Sequence, residues 1–90
     1  MSILVIGGDY LGNITQKLSR MGFDKIEHNP GRNRRQIIIS QKTDVVLVLI
    51  DYINHDLAWK VKEETREKGI KTVFARRAWS HIHSTLVKEV

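Results

Sequence analysis

The chain has 90 residues, 41% of them hydrophobic, with 15 Lys and Arg against 10 Asp and Glu and no cysteine. Such a length makes one domain, residues 1–90, that buries only about 60–65% of its unfolded surface. Without thiols there are no disulfides, thiolate metal sites, cysteine nucleophiles or thioether-linked haem, and no run of about 18 apolar residues exists to span a membrane as a helix. The chain enters an apolar segment within three residues, so no secretory leader is expected and the cytoplasm is the expected compartment.

Ile3 to Ile6 is a short continuous apolar run ended by Gly7-Gly8, the pattern of a strand buried on both faces. Leu11, Ile14, Leu18 and Met21 recur at helical spacing, and Gly22 ends that helix. Asp24 to His28 reads as a second strand. "NPGRNRR" is a turn leading into a basic connection, and "QIII" fits a helical turn or a short strand equally. Val45 to Ile50 is apolar throughout and too short for a lone helix, which makes it the expected central strand. Asn54 is the expected N-cap of a helix running to about Gly69. Lys71 to Ala75 is a fourth strand, and Trp79, Ile82, Leu86 and Val90 share one face of a last helix.

Strands alternating with helices predict an α/β fold with a parallel sheet. The expected architecture is a small three-layer sandwich, flavodoxin-like or half-Rossmann, with four strands in the order 2-1-3-4. Ligands of such sheets sit outside the carboxyl ends of the strands, where the order switches between strands 1 and 3. After strand 1 stand Gly7, Gly8, Asp9 and Tyr10. After strand 2 stand His28, Asn29, Gly31 and Arg32. Asp51, Tyr52, Asn54, His55 and Asp56 follow strand 3, and Arg76, Arg77, Trp79, Ser80 and His81 follow strand 4.

"LVIGGDYLGN" begins like a phosphate-binding loop but departs from one. Gly7 and Gly12 fit the outer glycines of G-x-G-x-x-G, yet Asp9 occupies the middle position, where a pyrophosphate needs close backbone approach. Against G-x-x-x-x-G-K-[ST], Asn13 and Ile14 replace the lysine and the hydroxyl. A tight turn and close packing explain the glycines better than a cradled dinucleotide, although the helix end behind the turn can favour an anion.

The cationic candidates are Arg32, Arg34 and Arg35, and the adjacent pair Arg76-Arg77, of which one should point to the site and the other away. Guanidinium groups capture phosphate or carboxylate in two-pronged fashion. Six basic and two acidic residues lie between Arg20 and Lys42, a local excess that can also attract nucleic acid. His28 and His55 admit a metal or haem-iron reading, whereas His81 and His83, two apart on a helix, diverge. No catalytic triad spacing, H-e-x-x-H or C-x-x-C pattern is present, and nothing in the sequence asks for an enzyme.

The glycine pair after strand 1, H-x-x-G at His28 and Gly31, D-x-x-N-H-D from Asp51 to Asp56 and R-R-x-W-S from Arg76 to Ser80 together resemble the bacterial domain of unknown function 2325 family. The resemblance covers essentially the whole chain. It implies that the glycine turn, the H-x-x-G segment and Asp51, Asn54 and His55 mark the site. Many members carry a cysteine beside the aspartate where this chain has Tyr52, so thiolate chemistry does not carry over. A fold of this kind hosts many activities.

The residues point to a small, non-catalytic binding or sensing module that holds an anionic ligand or cofactor. Its expected site comprises Gly7, Gly8, Asp9, Tyr10, Arg32, Asp51, Tyr52, Asn54, His55, Arg76 and Arg77, with Gly8, His28 and His55 opening onto one concavity. Haem or metal binding through His55 or His28 is the first alternative, and nucleic-acid binding through Arg32 to Arg35 the second. Tyr10, Tyr52, Trp59 and Trp79 add apolar bulk for an expected two-fold dimer.

Overall fold

In the computed structural model, residues 1–32 and 37–89 are described. Val90 and the pair Arg34-Arg35, which carried the nucleic-acid alternative, lie outside them. Among the described residues there are four strands, β1 (Ser2–Ile6), β2 (Lys25–Asn29), β3 (Val45–Leu49) and β4 (Lys71–Ala75), and three α-helices, α1 (Ile14–Arg20), α2 (His55–Lys68) and α3 (Trp79–Glu89), in the chain order β1-α1-β2-β3-α2-β4-α3. All strand pairs are parallel and the order is β2-β1-β3-β4. The expected α/β architecture is the observed one.

Side chains alternate across a strand with a period of two, and both interior strands are apolar at every position but the first of β1. Ile3 and Val5 of β1, with Val45, Leu47 and Leu49 of β3, therefore face α1 and α3 through Leu18, Ile82 and Leu86. Leu4, Ile6, Val46 and Val48 face the opposite way, onto Leu57 and Val61 of α2. Each fully buried Leu, Ile or Val contributes about 1.5–3 kcal/mol. This double-sided core is what holds the strand ends, and hence the loops, in place.

Several boundaries differ from the sequence expectation, and β2 runs one residue later than Asp24 to His28. Ile50 is not in β3: pairing with β4 stops at Leu49 and Ala75, and the chain folds into a single 3-10 turn over Ile50–Tyr52. Leu11 precedes α1 rather than opening it, although its side chain is buried in the same cluster as Ile14 and Leu18. In the ambiguous segment, Ile37 and Ile39 are buried while Ile38 is 82% exposed. This is strand-like alternation without strand pairing, and it covers the α2 face of the sheet. The Lys68 ammonium donates to the Ile39 carbonyl at 2.6 Å.

Asn54 caps α2 as expected: its backbone is extended and its side-chain oxygen accepts from the Leu57 N–H at 2.8 Å. That bond satisfies one of the free donors of the first turn. Asn54→Ala should cost about 1 kcal/mol, read as a fall of about 4–8 °C in the thermal midpoint followed by circular dichroism. Asn54→Asp should keep most of the stability, because its carboxylate can accept the same bond.

Candidate ligand site at the carboxyl edge

The carboxyl edge is built from four loops that are fastened to one another. Gly7 is the first fastening point. Its N–H donates to the Asn29 carbonyl at 2.8 Å, and its carbonyl accepts from His28 Nε2 at 3.1 Å. A side chain at Gly7 would press on β3, with its Cβ 2.9 Å from the Leu49 carbonyl oxygen. Strand 2 then turns through Gly31, whose N–H donates to Asn29 Oδ1 at 2.9 Å. A Cβ there would lie 3.0 Å from Ile53 and 3.2 Å from Leu57. The turn after β3 is tied to the one after β4 by the Arg77 N–H, which donates to Asp51 Oδ2 at 3.3 Å. The Arg76 N–H donates to His81 Nδ1 at 2.8 Å.

These ties frame a cleft of 340 Å³ at the switch point between β1 and β3. Gly8, Asp9 and Tyr10 line it from the first loop, Pro30 and Arg32 from the second, Tyr52 from the third and Arg77 from the fourth. The Arg32 guanidinium pairs with the Asp9 carboxylate. Arg77 Nη2 donates to the Tyr10 carbonyl at 2.8 Å, which uses one of the five N–H donors of a guanidinium. The Tyr52 ring stands over the glycine turn, 3.7 Å from where a Gly8 side chain would begin.

A second cavity of 390 Å³ adjoins the first and shares Tyr52 and Arg77 as walls. Leu11, Ile14 and Ala78 supply apolar surface there, with Asn13, Lys17 and Trp79. The Lys17 ammonium sits 5.6 Å from the centre of the Trp79 ring. Sequence reasoning named Trp79 at this edge but missed Lys17, whose signal is its position one helical turn beyond Asn13. Pro30 was missed as well.

The structure thus brings Gly8, Asp9, Tyr10, Arg32, Tyr52 and Arg77 together and leaves the other expected residues outside the cleft lining. Gly7 is buried against β3, and Asn54 is the cap of α2. Asp51 serves as the acceptor that fixes the Arg77 backbone. Of the adjacent arginines, Arg77 lines the cleft and Arg76 does not. The shared concavity of Gly8, His28 and His55 is not found. His28 is held at the Gly7 carbonyl, while His55 lines a separate hollow of 220 Å³ with Ala58, Trp59, Lys62 and Phe74. Among the described residues, no group of three His, Asp or Glu side chains converges as a metal site. The helix end behind the turn is also displaced, since α1 begins only at Ile14 and has seven residues.

The sequence from residue 2 to residue 88 matches the model of a protein family described as "Uncharacterized protein conserved in bacteria (DUF2325)". The chain belongs to this family. No curated protein and no solved structure matches it. In this DUF2325 domain the motif residues divide into two sets. Gly7, His28, Gly31, Asp51 and Asn54 hold the loops in register through the bonds and close approaches above. Tyr52, next to the motif aspartate, instead lines the cleft. Among the described residues, no helix is long and apolar enough to cross a membrane.

Proposed function

We propose that this DUF2325 domain is a small cytoplasmic binding module whose cleft between Gly8, Arg32, Tyr52 and Arg77 takes an anionic ligand. The observation that carries this reading is the convergence of two guanidinium groups from distant loops on one open cleft at the switch point of the sheet. Guanidinium forks match the oxygens of phosphate and carboxylate. The cleft shape agrees with small-molecule sites, which are concave, of about 300–1,000 Å³ and lined by few well-placed polar groups. No reacting group is required of the chain in this reading.

Asp9 is the internal competitor for such an anion, because its carboxylate pairs with Arg32. Asp9→Asn frees the guanidinium and removes a negative charge from the cleft, so pyrophosphate should bind about three- to tenfold more tightly by titration calorimetry. Arg32→Ala should weaken binding by a similar factor. The range follows from the modest strength of exposed ion pairs, about 0.2–1 kcal/mol, plus the lost repulsion. Pyrophosphate affinity unchanged in both variants would sink the reading. A Soret band abolished by His55→Ala would instead favour haem. Nucleic-acid binding lost in an Arg34/Arg35 double substitution would favour the third class, with the salt slope falling by about one per cation removed.

A two-fold dimer remains the expected assembly. Trp59, 62% exposed, is apolar surface that a second copy would cover, while the exposed Tyr10 and Tyr52 line the cleft. Trp79 is partly buried on the core and contributes less.

A further inference from the structure

Resting on the anion site proposed above, we infer that the ligand is a nucleoside phosphate, with the phosphate in the arginine cleft and the base in the adjoining cavity. The two cavities, 340 and 390 Å³, share Tyr52 and Arg77 as walls, and each combines charged groups with apolar surface. The first holds the ion pair of Arg32 with Asp9 beside Tyr10, Pro30 and Tyr52. The second joins apolar surface at Leu11 and Ile14 to an indole, a carboxamide and an ammonium at Trp79, Asn13 and Lys17.

Inorganic phosphate or a polyphosphate would leave the apolar surface of the second cavity without a partner. A purely apolar ligand would strand the cations of the first. A nucleoside phosphate meets both demands, because a base has flat apolar faces and a hydrogen-bonding edge. Tyr52 stands at the junction, 51% exposed, and offers a face for stacking that does not depend on which base is present. Asn13 carries both a donor and an acceptor for the edge of the base.

This mode of holding phosphate differs from the glycine-loop mode. Asp9 fills the middle of the glycine turn, and Gly7 is consumed by the approach of β3, so arginine side chains rather than backbone N–H groups meet the phosphate.

The test compares ADP and GDP with pyrophosphate and with adenosine by titration calorimetry on the intact chain. At least one nucleotide is expected to bind about tenfold or more tightly than either pyrophosphate or adenosine. Tyr52→Ala should weaken nucleotide binding by about fivefold or more, the loss of one stacking platform, while pyrophosphate binding stays within about twofold. A second readout uses the two tryptophans: in Trp59→Phe, the emission of Trp79 should be quenched by the nucleotide and not by pyrophosphate. Equal affinity for nucleotide and pyrophosphate, with no response to Tyr52→Ala, would overturn the nucleoside and leave the anion site standing. Failure of pyrophosphate and nucleotide alike would overturn both.

Discussion

Gly7→Ala is expected to cost about 3–5 kcal/mol of folding free energy, in two parts. The backbone at Gly7 has φ +118°, outside the region that side-chain-bearing residues adopt, and holding alanine there costs about 1–3 kcal/mol. The second part is spatial. The new methyl would lie 2.9 Å from the Leu49 carbonyl oxygen and 3.2 Å from its Cβ, and neither can yield, because Leu49 is fully buried between its neighbours. Relief requires β1 and β3 to separate, and these two strands carry both halves of the core. A chain of this length has about 4–13 kcal/mol of stability in all, so a sizeable part of it disappears. Gly69→Ala is the control. Gly69 also has positive φ, +69°, but nothing lies within 4 Å of its missing side chain, and its loss should be about 1 kcal/mol. Urea unfolding followed by circular dichroism compares the two. Equal losses would mean that backbone conformation alone, and not the approach of Leu49, demands the glycine.

Arg77→Ala is expected to lower pyrophosphate affinity by about 10- to 100-fold, the worth of one or two charge-assisted hydrogen bonds. Arg77 is the cation common to both cavities, and its fork is pre-aimed by the bond from Nη2 to the Tyr10 carbonyl. Arg76→Ala should change affinity by less than about twofold, since Arg76 is exposed outside the cleft and its charge is screened over about 8–10 Å at physiological salt. Arg77→Lys should recover part of the loss, because the charge returns without the planar fork. The pair of adjacent arginines is a sharp internal comparison: equal effects of Arg76→Ala and Arg77→Ala would mean that diffuse positive charge, rather than a built site, draws the anion. Circular dichroism on Arg77→Ala should still report the folded protein, because the tie between Asp51 and position 77 uses the backbone N–H and survives the substitution.

The apolar runs Ile3 to Ile6 and Val45 to Ile50, the helical spacing of Leu11, Ile14 and Leu18 and the signals at Asn54 and Gly69 are local properties, and they determined the elements and their parallel arrangement. Burial on both faces marked β1 and β3 as interior, and that is where they lie. The family motifs likewise sit within single loops, which is why the chain could be matched to its family from its residues. The cleft is a different kind of object. Arg77 reaches the carbonyl of Tyr10 across 67 positions of sequence, and Arg32 meets Asp9 across 23. His28 lies near the end of β2 and His55 opens α2 after β3, yet one is held at the Gly7 carbonyl and the other joins the Trp59 hollow. No period along the chain encodes these outcomes, because they depend on where each loop goes after its strand ends and on which neighbour takes the first available hydrogen bond. The same is true of Ile37 and Ile39, whose burial is dictated by the uncovered face of the sheet and not by any pairing of their own. Sequence placed the chemistry at one edge. Tertiary contacts decided which of it shares a cleft.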